Sequence, residues 1–397
     1  NIITHDFIED FNPTISKLST NFRCPANILN AIVPSIELNS NRLDKSIRAA
    51  KEGGELFIGR YHSYNDMVKG LVDGIYKDIA DGMDVAVICR ENIDGLLPAI
   101  MLDRDGRFSY SISGQGMTLS PYMVKQAISI IRLVTEKTSN NVANVLKQLT
   151  FNNWEINSML SALKNNNESI WDAPMEDIEY SCPSISGVLE EWKNVHRTFK
   201  EGKITEMDFV EYLLAYYHNF IYTPRVGMKD SIYNERMRSI LSTLIVLVNS
   251  GEFTSASDLL YELDEINLRL QSRLKQKNVE VKIVTVNEFK GKEIDSAYPW
   301  NVVIDVFPHK KATSQEELEE ERRMFYITCT RGKKRTTIMS IVGREGMFLH
   351  EMDLSTAEEL VKLGGSIGEI GGSLGNKGAE ASSEARNRRK LEGMSSE

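Results

Sequence analysis

Short runs of apolar, β-branched residues recur at 56–58, 85–89, 281–286, 302–307 and 336–342, each bounded by polar or glycine positions. Continuous apolar runs suit strands buried on both faces, and helical periodicity between several of them suits parallel pairing through crossover helices. From about 138 to 276 the pattern changes. Apolar residues there fall at helical spacing through 142–149, 156–163, 188–199, 205–217, 231–248 and 255–274, with Asn165-Asn166-Asn167 and Cys182-Pro183 as punctuation. Beyond Gly364 the chain turns to glycine, serine and charge, a composition too poor in apolar residues to build a core. This patterning predicts an α/β chain with a parallel sheet covered by helices on both faces. The sheet spans 1–137 and 277–353, an all-helical subdomain is inserted over 138–276, and a flexible low-complexity tail covers 354–397.

Composition sharpens this picture only a little. The 397 residues, 41% of them hydrophobic, are ample for two or three domains with real cores. The four cysteines (Cys24, Cys89, Cys182, Cys329) are far apart and form no Cys-x-x-Cys pair. They point to neither a zinc site nor a disulfide framework, and fit a reducing, cytoplasmic compartment. No stretch has membrane-spanning character, so no membrane partner is expected. The net charge of −9 is neutral evidence on nucleic acid, because phosphate binding depends on a local groove and not on the total. The first residue, Asn1, is not methionine and no signal peptide follows, so the start reads as a cut edge.

Three segments carry candidate chemistry. Residues 319–332, EEERRMFYITCTRG, read as a helix with an acidic start, an apolar face of Phe325, Tyr326 and Cys329, and Thr330-Arg331 at its end. A guanidinium on a rigid element presents a planar fork of donors, which suits a phosphoryl group. The second segment, LSTNFRCPANIL at 18–29, places Arg23 after an expected strand at 17–20; the third, VKIVTVNEFKGKEID at 281–295, ends a buried strand in polar residues and a Lys-Gly turn. Together they resemble motifs IV, V and VI of the superfamily 1 DNA helicases of the UvrD, Rep and PcrA type, in that family's order. Asn21-Phe22-Arg23 is similar to the family's Asn-Tyr-Arg, Lys290-Gly291-Lys292-Glu293 to its Lys-Gly-Leu-Glu, and Glu321-Arg322-Arg323 with Tyr326 and Thr330-Arg331 to its motif VI. Fainter echoes are the strand ending in Arg90, the tripeptide Phe307-Pro308-His309, and Phe348-Leu349 with Glu351.

The resemblance implies that the sheet is the second RecA-like lobe of an ATP-dependent DNA helicase or translocase, with ATP and Mg2+ as cofactors. On that basis Arg331 and Arg23 contact the γ-phosphate as catalytic residues, while Glu293 (to the ribose), Gly291 and Lys290 bind the nucleotide. Thr285 and Asn287 contact DNA, and Tyr122, near Gly114-Gln115-Gly116, is a candidate to touch a single strand. Three positions depart from the family: Asn287 stands for a histidine, Glu288 for a small residue and Lys292 for a leucine, which weakens the expected DNA contact. The implied partners are single-stranded or partial duplex DNA and a first RecA-like lobe. No Gly-x-x-x-x-Gly-Lys-Ser/Thr loop occurs in the chain, so that loop and the metal-binding carboxylates are expected on an upstream lobe, and the chain alone is expected not to hydrolyse ATP. A non-catalytic DNA- or protein-binding module derived from such a lobe is the alternative. The family favours 3′ to 5′ movement and a repair or replication-restart role, at the level of analogy only.

Other signals are weaker. Two Gly-x-Ser-x-Gly matches, Gly364–Gly368 and Gly371–Gly375, lie in the tail without a strand before them. Asp103-Arg104-Asp105-Gly106 lacks the remaining calcium ligands and reads as a turn. Trp154, Trp171 and Trp192 read as core residues of the helical block, and the basic cluster Arg386, Arg388, Arg389 and Lys390 as a solvated tail.

Overall fold

The structure is a computed structural model that describes residues 7–361 except 8, 15, 17, 41–45, 136–138, 150, 152, 167–169, 172–173, 182, 223–230 and 310. The tail signals named above therefore lie outside the described residues. The described residues form two compact units, one within 7–118 with 269–361, the other within 119–268.

The first unit is built on seven parallel strands: β3 (Glu55–Tyr61), β4 (Val85–Cys89), β5 (Tyr110–Ile112), β6 (Val281–Thr285), β7 (Ile294–Pro299), β8 (Gly332–Ile341) and β9 (Glu358–Val361). Their order is β5-β6-β4-β7-β8-β3-β9. β4 is the clearest consequence of sequence: all five residues of Val-Ala-Val-Ile-Cys are buried, because both faces of a central strand are covered. It pairs with β6 from Val85↔Val281 to Cys89↔Thr285 and with β7 on its other side. Side-chain alternation assigns the faces. Ala86, Ile88, Val284 and Ala297 join Ile28, Leu29 and Ile32 of the helix Ala26–Glu37 and Met324 and Phe325 of the helix Gln315–Cys329 in one core. On the opposite face, Ser296 Oγ and Tyr298 OH donate to Asp78 Oδ2 at 2.5 and 2.7 Å, on the helix Tyr64–Ala80. Asp78 also pairs with Arg335 from β8, which satisfies a carboxylate that is almost fully buried. A smaller parallel pair, β1 (Thr20–Asn21) with β2 (Arg48–Ala49), stands apart from the main sheet.

Several elements differ from those the sequence predicts. The apolar run 302–307 is a turn buried at its two ends, with Ile304 exposed, and the strand is β7, just before it. Asn301 and Asp305 adopt positive φ (59° and 72°), a left-handed backbone that breaks an extended run, while Val302 and Phe307 stay fully buried. The strand expected at 17–20 is shifted to β1, and Lys17 lies outside the described residues. The start of the expected tail, 358–361, is β9, hydrogen-bonded in register to β3 from Phe57↔Glu358 to Arg60↔Val361. Arg60 pairs with Glu359, which gives this polar edge strand a reason to stay.

The second unit is helical: Tyr122–Thr135, Ser139–Gln148, Asn153–Asn166, Met175–Ser181, Pro183–Lys200, Glu206–Tyr222, Ser231–Val248 and the greater part of Ala256–Ser272. It starts before the 138 expected from the pattern, since Tyr122–Thr135 belongs to it, and ends before 276. Tyr122 is thus the first residue of a helix and not a loop residue. Trp192, Phe209 and Tyr217 form the core, with Tyr217 OH donating to Val145 O at 2.7 Å. Trp171 is buried and stacks on His196, whereas Trp154, expected in the core, is 73% exposed.

Candidate functional site

The three motif segments meet at one corner of the first unit. Asn21 at the end of β1 makes the approach: its Oδ1 accepts from the backbone N–H groups of Arg23 (2.9 Å) and Cys24 (3.0 Å), a side-chain turn that redirects the chain into the helix Ala26–Glu37. Cys24 drops into the core beside Cys329, both fully buried. Burial pushes the Cys24 thiol up to about 12, against the pull of Arg23 and Arg331. Neither thiol is therefore a nucleophile at neutral pH.

Arg331 is delivered by the helix Gln315–Cys329. Ser314 and Glu317 cap its start reciprocally (Glu317 N to Ser314 Oγ 3.2 Å, Ser314 N to Glu317 Oε2 3.0 Å), and acidic residues in the first turn suit the positive end of the helix dipole. At the other end Thr330 Oγ1 donates to Tyr326 O (2.8 Å), and Arg331 follows immediately. Arg331 donates from Nε to Ile327 O and from Nη1 to Lys292 O, both at 2.9 Å. Its rotamer is thus locked by its own helix end and by the motif V turn, and both partners are neutral carbonyls. The chain must enter β8 directly behind it, and Gly332 permits this: a Cβ there would lie 2.2 Å from Arg335 O. Burial, then the neighbouring charge of Arg23, draws the Arg331 guanidinium below its ordinary value, the expected effect of two cations converging with one of them desolvated.

The motif V turn supplies the third side. Thr285, the last residue of β6, is buried, and its Oγ1 donates to Glu288 Oε2 at 3.2 Å. Phe289 is buried and anchors the turn, leaving Asn287, Lys290, Lys292 and Glu293 exposed. Gly291 has φ +80° with open space around it, a left-handed position in which a side chain is strained by the backbone alone. Glu293 reaches across to Arg23: Nε to Oε2 is 3.1 Å, with the side chains 34% and 49% exposed. Phe22, beside Arg23, is 73% exposed and is not among the expected site residues; its place inside the Asn21-Phe22-Arg23 motif is the signal that marks it. Arg23, Glu293, Gly291, Lys290, Thr285, Asn287 and Arg331 all belong to the first unit; Tyr122 belongs to the second, where it is 73% exposed.

The remaining motif residues tie the scaffold. Glu321 chelates Arg90 (Nε to Oε2 3.0 Å, Nη2 to Oε1 2.5 Å) and accepts from the backbone N–H of His309 (3.1 Å). Arg322 is clamped by Glu351 through two bonds of 2.8 Å and by Asn39 Oδ1 at 2.6 Å. Among the described residues no group of three His, Cys, Asp or Glu could hold a metal ion. The corner is cationic: its donors suit phosphate oxygens, and Mg2+ does not fit it. Asp103 is engaged by Arg269 (2.6 Å) and Tyr110 (2.9 Å), and Asp105 ends a helix before Gly106, as a turn would. No helix among the described residues is long and apolar enough to cross a membrane.

Comparison with known proteins shows the family. The chain is similar to DNA helicase II of Haemophilus influenzae (22% identical over 349 residues, 84% of this chain and 48% of the relative). It is likewise similar to ATP-dependent DNA helicase Rep of Buchnera aphidicola (22% over 351 residues, 82% and 53%) and to ATP-dependent DNA helicase PcrA of Bacillus subtilis (23% over 359 residues, 83% and 47%). It spans about half the length of these curated relatives. The family model of the UvrD-like helicase C-terminal domain matches residues 16–343, β1 to the end of β8 included, and the chain belongs to that family.

Proposed function

We propose that this chain is the second RecA-like lobe of an ATP-dependent DNA helicase or translocase, and that the corner where β1, the motif V turn and Arg331 meet receives the terminal phosphates of ATP. The observation that carries this reading is the convergence of Arg23 and Arg331 on one corner, with Arg331 held rigid by two backbone carbonyls. A guanidinium that spends two donors on its scaffold keeps the rest for an incoming oxyanion, and it is pre-oriented, so little reorganisation is needed as charge develops. Arg331 and Arg23 would act on the γ-phosphate. Exposed Phe22 offers a flat face for a base, and Lys290 and Gly291 border the sugar and phosphates. Bound Mg2+ would screen the phosphates, held by carboxylates of a partner lobe that also carries the phosphate loop.

In the first unit Thr285 and Asn287, at the end of β6, would contact the DNA backbone; in the second unit the exposed Tyr122 would stack on a base. Glu288, which holds the Thr285 hydroxyl, must turn away for a phosphate to enter. This requirement follows from the same position at which the sequence departs from the family. The test is DNA-stimulated ATP hydrolysis by the parent polypeptide containing a phosphate-loop lobe. Arg331→Ala should abolish most turnover while leaving ATP affinity and single-strand binding near wild type; normal turnover in that variant would overturn the reading.

A further inference from the structure

The Arg23–Glu293 pair contributes little to stability. Both side chains are substantially exposed, and exposed pairs contribute about 0–1 kcal/mol. It also occupies the two side chains that a nucleotide would need. With the carboxylate drawn to Arg23 Nε, Glu293 is turned to the cation, and Arg23 cannot offer its full fork to a phosphate while Nε is engaged. Two cations share this corner, and Glu293 provides the carboxylate that faces them when no anion does: its charge is felt at Arg331 as well as at Arg23.

Taking the corner as the phosphate site proposed above, we propose that Glu293 is a resting counter-ion for Arg23 and so a specificity-determining residue. An anion that takes the Nε edge of the Arg23 fork must displace the Glu293 carboxylate, and an anion that stops short of Arg23 leaves the pair intact. The exchange is one carboxylate–guanidinium pair broken for one phosphate–guanidinium pair formed, with no net change in protonation. Glu293 therefore lowers affinity selectively for ligands long enough to engage Arg23. In the nucleotide cycle it returns Arg23 to the scaffold once the terminal phosphate has left.

The probe must lack a ribose, so that any contact of Glu293 with sugar cannot contribute. Inorganic tripolyphosphate is titrated calorimetrically at low ionic strength into the 397-residue chain and its Glu293→Gln, Arg23→Ala, Arg331→Ala and Arg23→Ala/Glu293→Gln variants. Glu293→Gln should bind roughly two- to five-fold more tightly than wild type, the range expected on releasing an exposed pair. The gain should vanish in the Arg23→Ala background, where no pair exists to break. An equal gain with and without Arg23 means simple removal of a nearby negative charge and overturns the proposal, as does no gain at all. If Arg23→Ala weakens binding while Glu293→Gln is inert, the phosphate site stands and only the counter-ion role falls. If tripolyphosphate binds none of the five proteins, the phosphate site itself is wrong, and the role of Glu293 falls with it. Because Glu293 is exposed on a turn, the glutamine variant should unfold at the wild-type temperature, which excludes a folding artefact.

Discussion

The helix Gln315–Cys329 serves two arginine corners, and they are built on opposite principles. Arg322, near its middle, is buried with each of its three nitrogens engaged: two bonds to Glu351, one to Asn39, and the guanidinium carbon 5.2 Å from the centre of the Phe348 ring. Glu351 is itself held by Ser35 Oγ at 2.7 Å. Arg331, just beyond the helix end, is equally buried but donates to two neutral carbonyls and faces a second cation. A buried charge is tolerated only when it is compensated. The first corner supplies that compensation from within and is closed. The second leaves a deficit of negative charge that an anionic ligand would fill.

The largest effect should come from breaking the closed corner. Arg322→Ala leaves Glu351 with a desolvated, uncompensated charge and should cost about 3–5 kcal/mol in urea unfolding of the sheet unit. Arg322→Met should lose less than the alanine variant, since it retains the packing against Phe348. A loss below about 1 kcal/mol for Arg322→Ala would show that the corner is not closed in solution.

Arg331→Ala should reverse the balance. In a polypeptide that carries the phosphate-loop lobe proposed above, kcat for ATP should fall by roughly 10² or more, while the stability of the sheet unit changes much less than in Arg322→Ala. Arg331→Lys should restore little, because one ammonium cannot reproduce the fork. If Arg331→Ala instead unfolds the protein and the surviving folded fraction turns over normally, the two corners do not differ in kind.

How much of this was legible in the sequence depends on which physical signal each element carries. β4 and β6 announce themselves as short runs rich in β-branched residues, interrupted only by Ala86, Cys89 and Lys282. β7 does not, because Ile-Asp-Ser-Ala-Tyr-Pro mixes polar residues into a buried strand whose Ser296 and Tyr298 are satisfied by Asp78, over two hundred residues earlier in the chain. The run 302–307 is apolar for burial and not for extension, and only the positive φ values at Asn301 and Asp305 reveal it as a turn. The motif residues were readable from their spacing and family likeness, including the order that brings Arg23, Glu293 and Arg331 into one unit. Their pairing was not readable: Arg23 and Glu293 lie 270 positions apart, and no local pattern states that two motifs neutralise one another. The bond from Arg331 to Lys292 O was equally hidden, since a backbone carbonyl has no residue identity.

A third charged site, at the end of β4, allows the idea of a closed corner to be tested by pH. Asp94 is buried; it accepts from the backbone N–H of Glu91 at 2.9 Å and, more weakly, from Asn301 Nδ2 at 3.4 Å. Burial is the largest influence and raises its carboxyl from 3.8 to about 6, despite the hydrogen bond from Glu91. A carboxyl whose folded value lies above its unfolded value binds its proton more tightly in the folded state, so stability falls as pH rises from about 4 to about 6 and is flat above. Asp94→Asn keeps an acceptor for Glu91 and removes the titration. The stability of the variant relative to wild type should therefore increase by roughly 1–3 kcal/mol between pH 4 and pH 7. A difference independent of pH would mean that Asp94 remains ionised and compensated, making this a closed corner like that of Arg322.

The smallest predicted effect is the most discriminating for the open corner. Arg23→Ala removes the ion pair with Glu293, and if that pair held the fold together the loss would resemble that of Arg322. Exposure argues otherwise: the side chains are 34% and 49% exposed, so water compensates Glu293 when its partner is removed, and salt screens what attraction remains. The local turn does not depend on the guanidinium either, because Asn21 Oδ1 binds the backbone N–H of residue 23 and would bind that of an alanine equally well. Removing Arg23 also relieves the repulsion it exerts on Arg331, which offsets part of the lost attraction. Urea unfolding of Arg23→Ala at physiological salt should therefore lie within about 0.5 kcal/mol of wild type. A loss of 2 kcal/mol or more would place Arg23 with Arg322 as a structural residue, and the open corner would shrink to Arg331 alone.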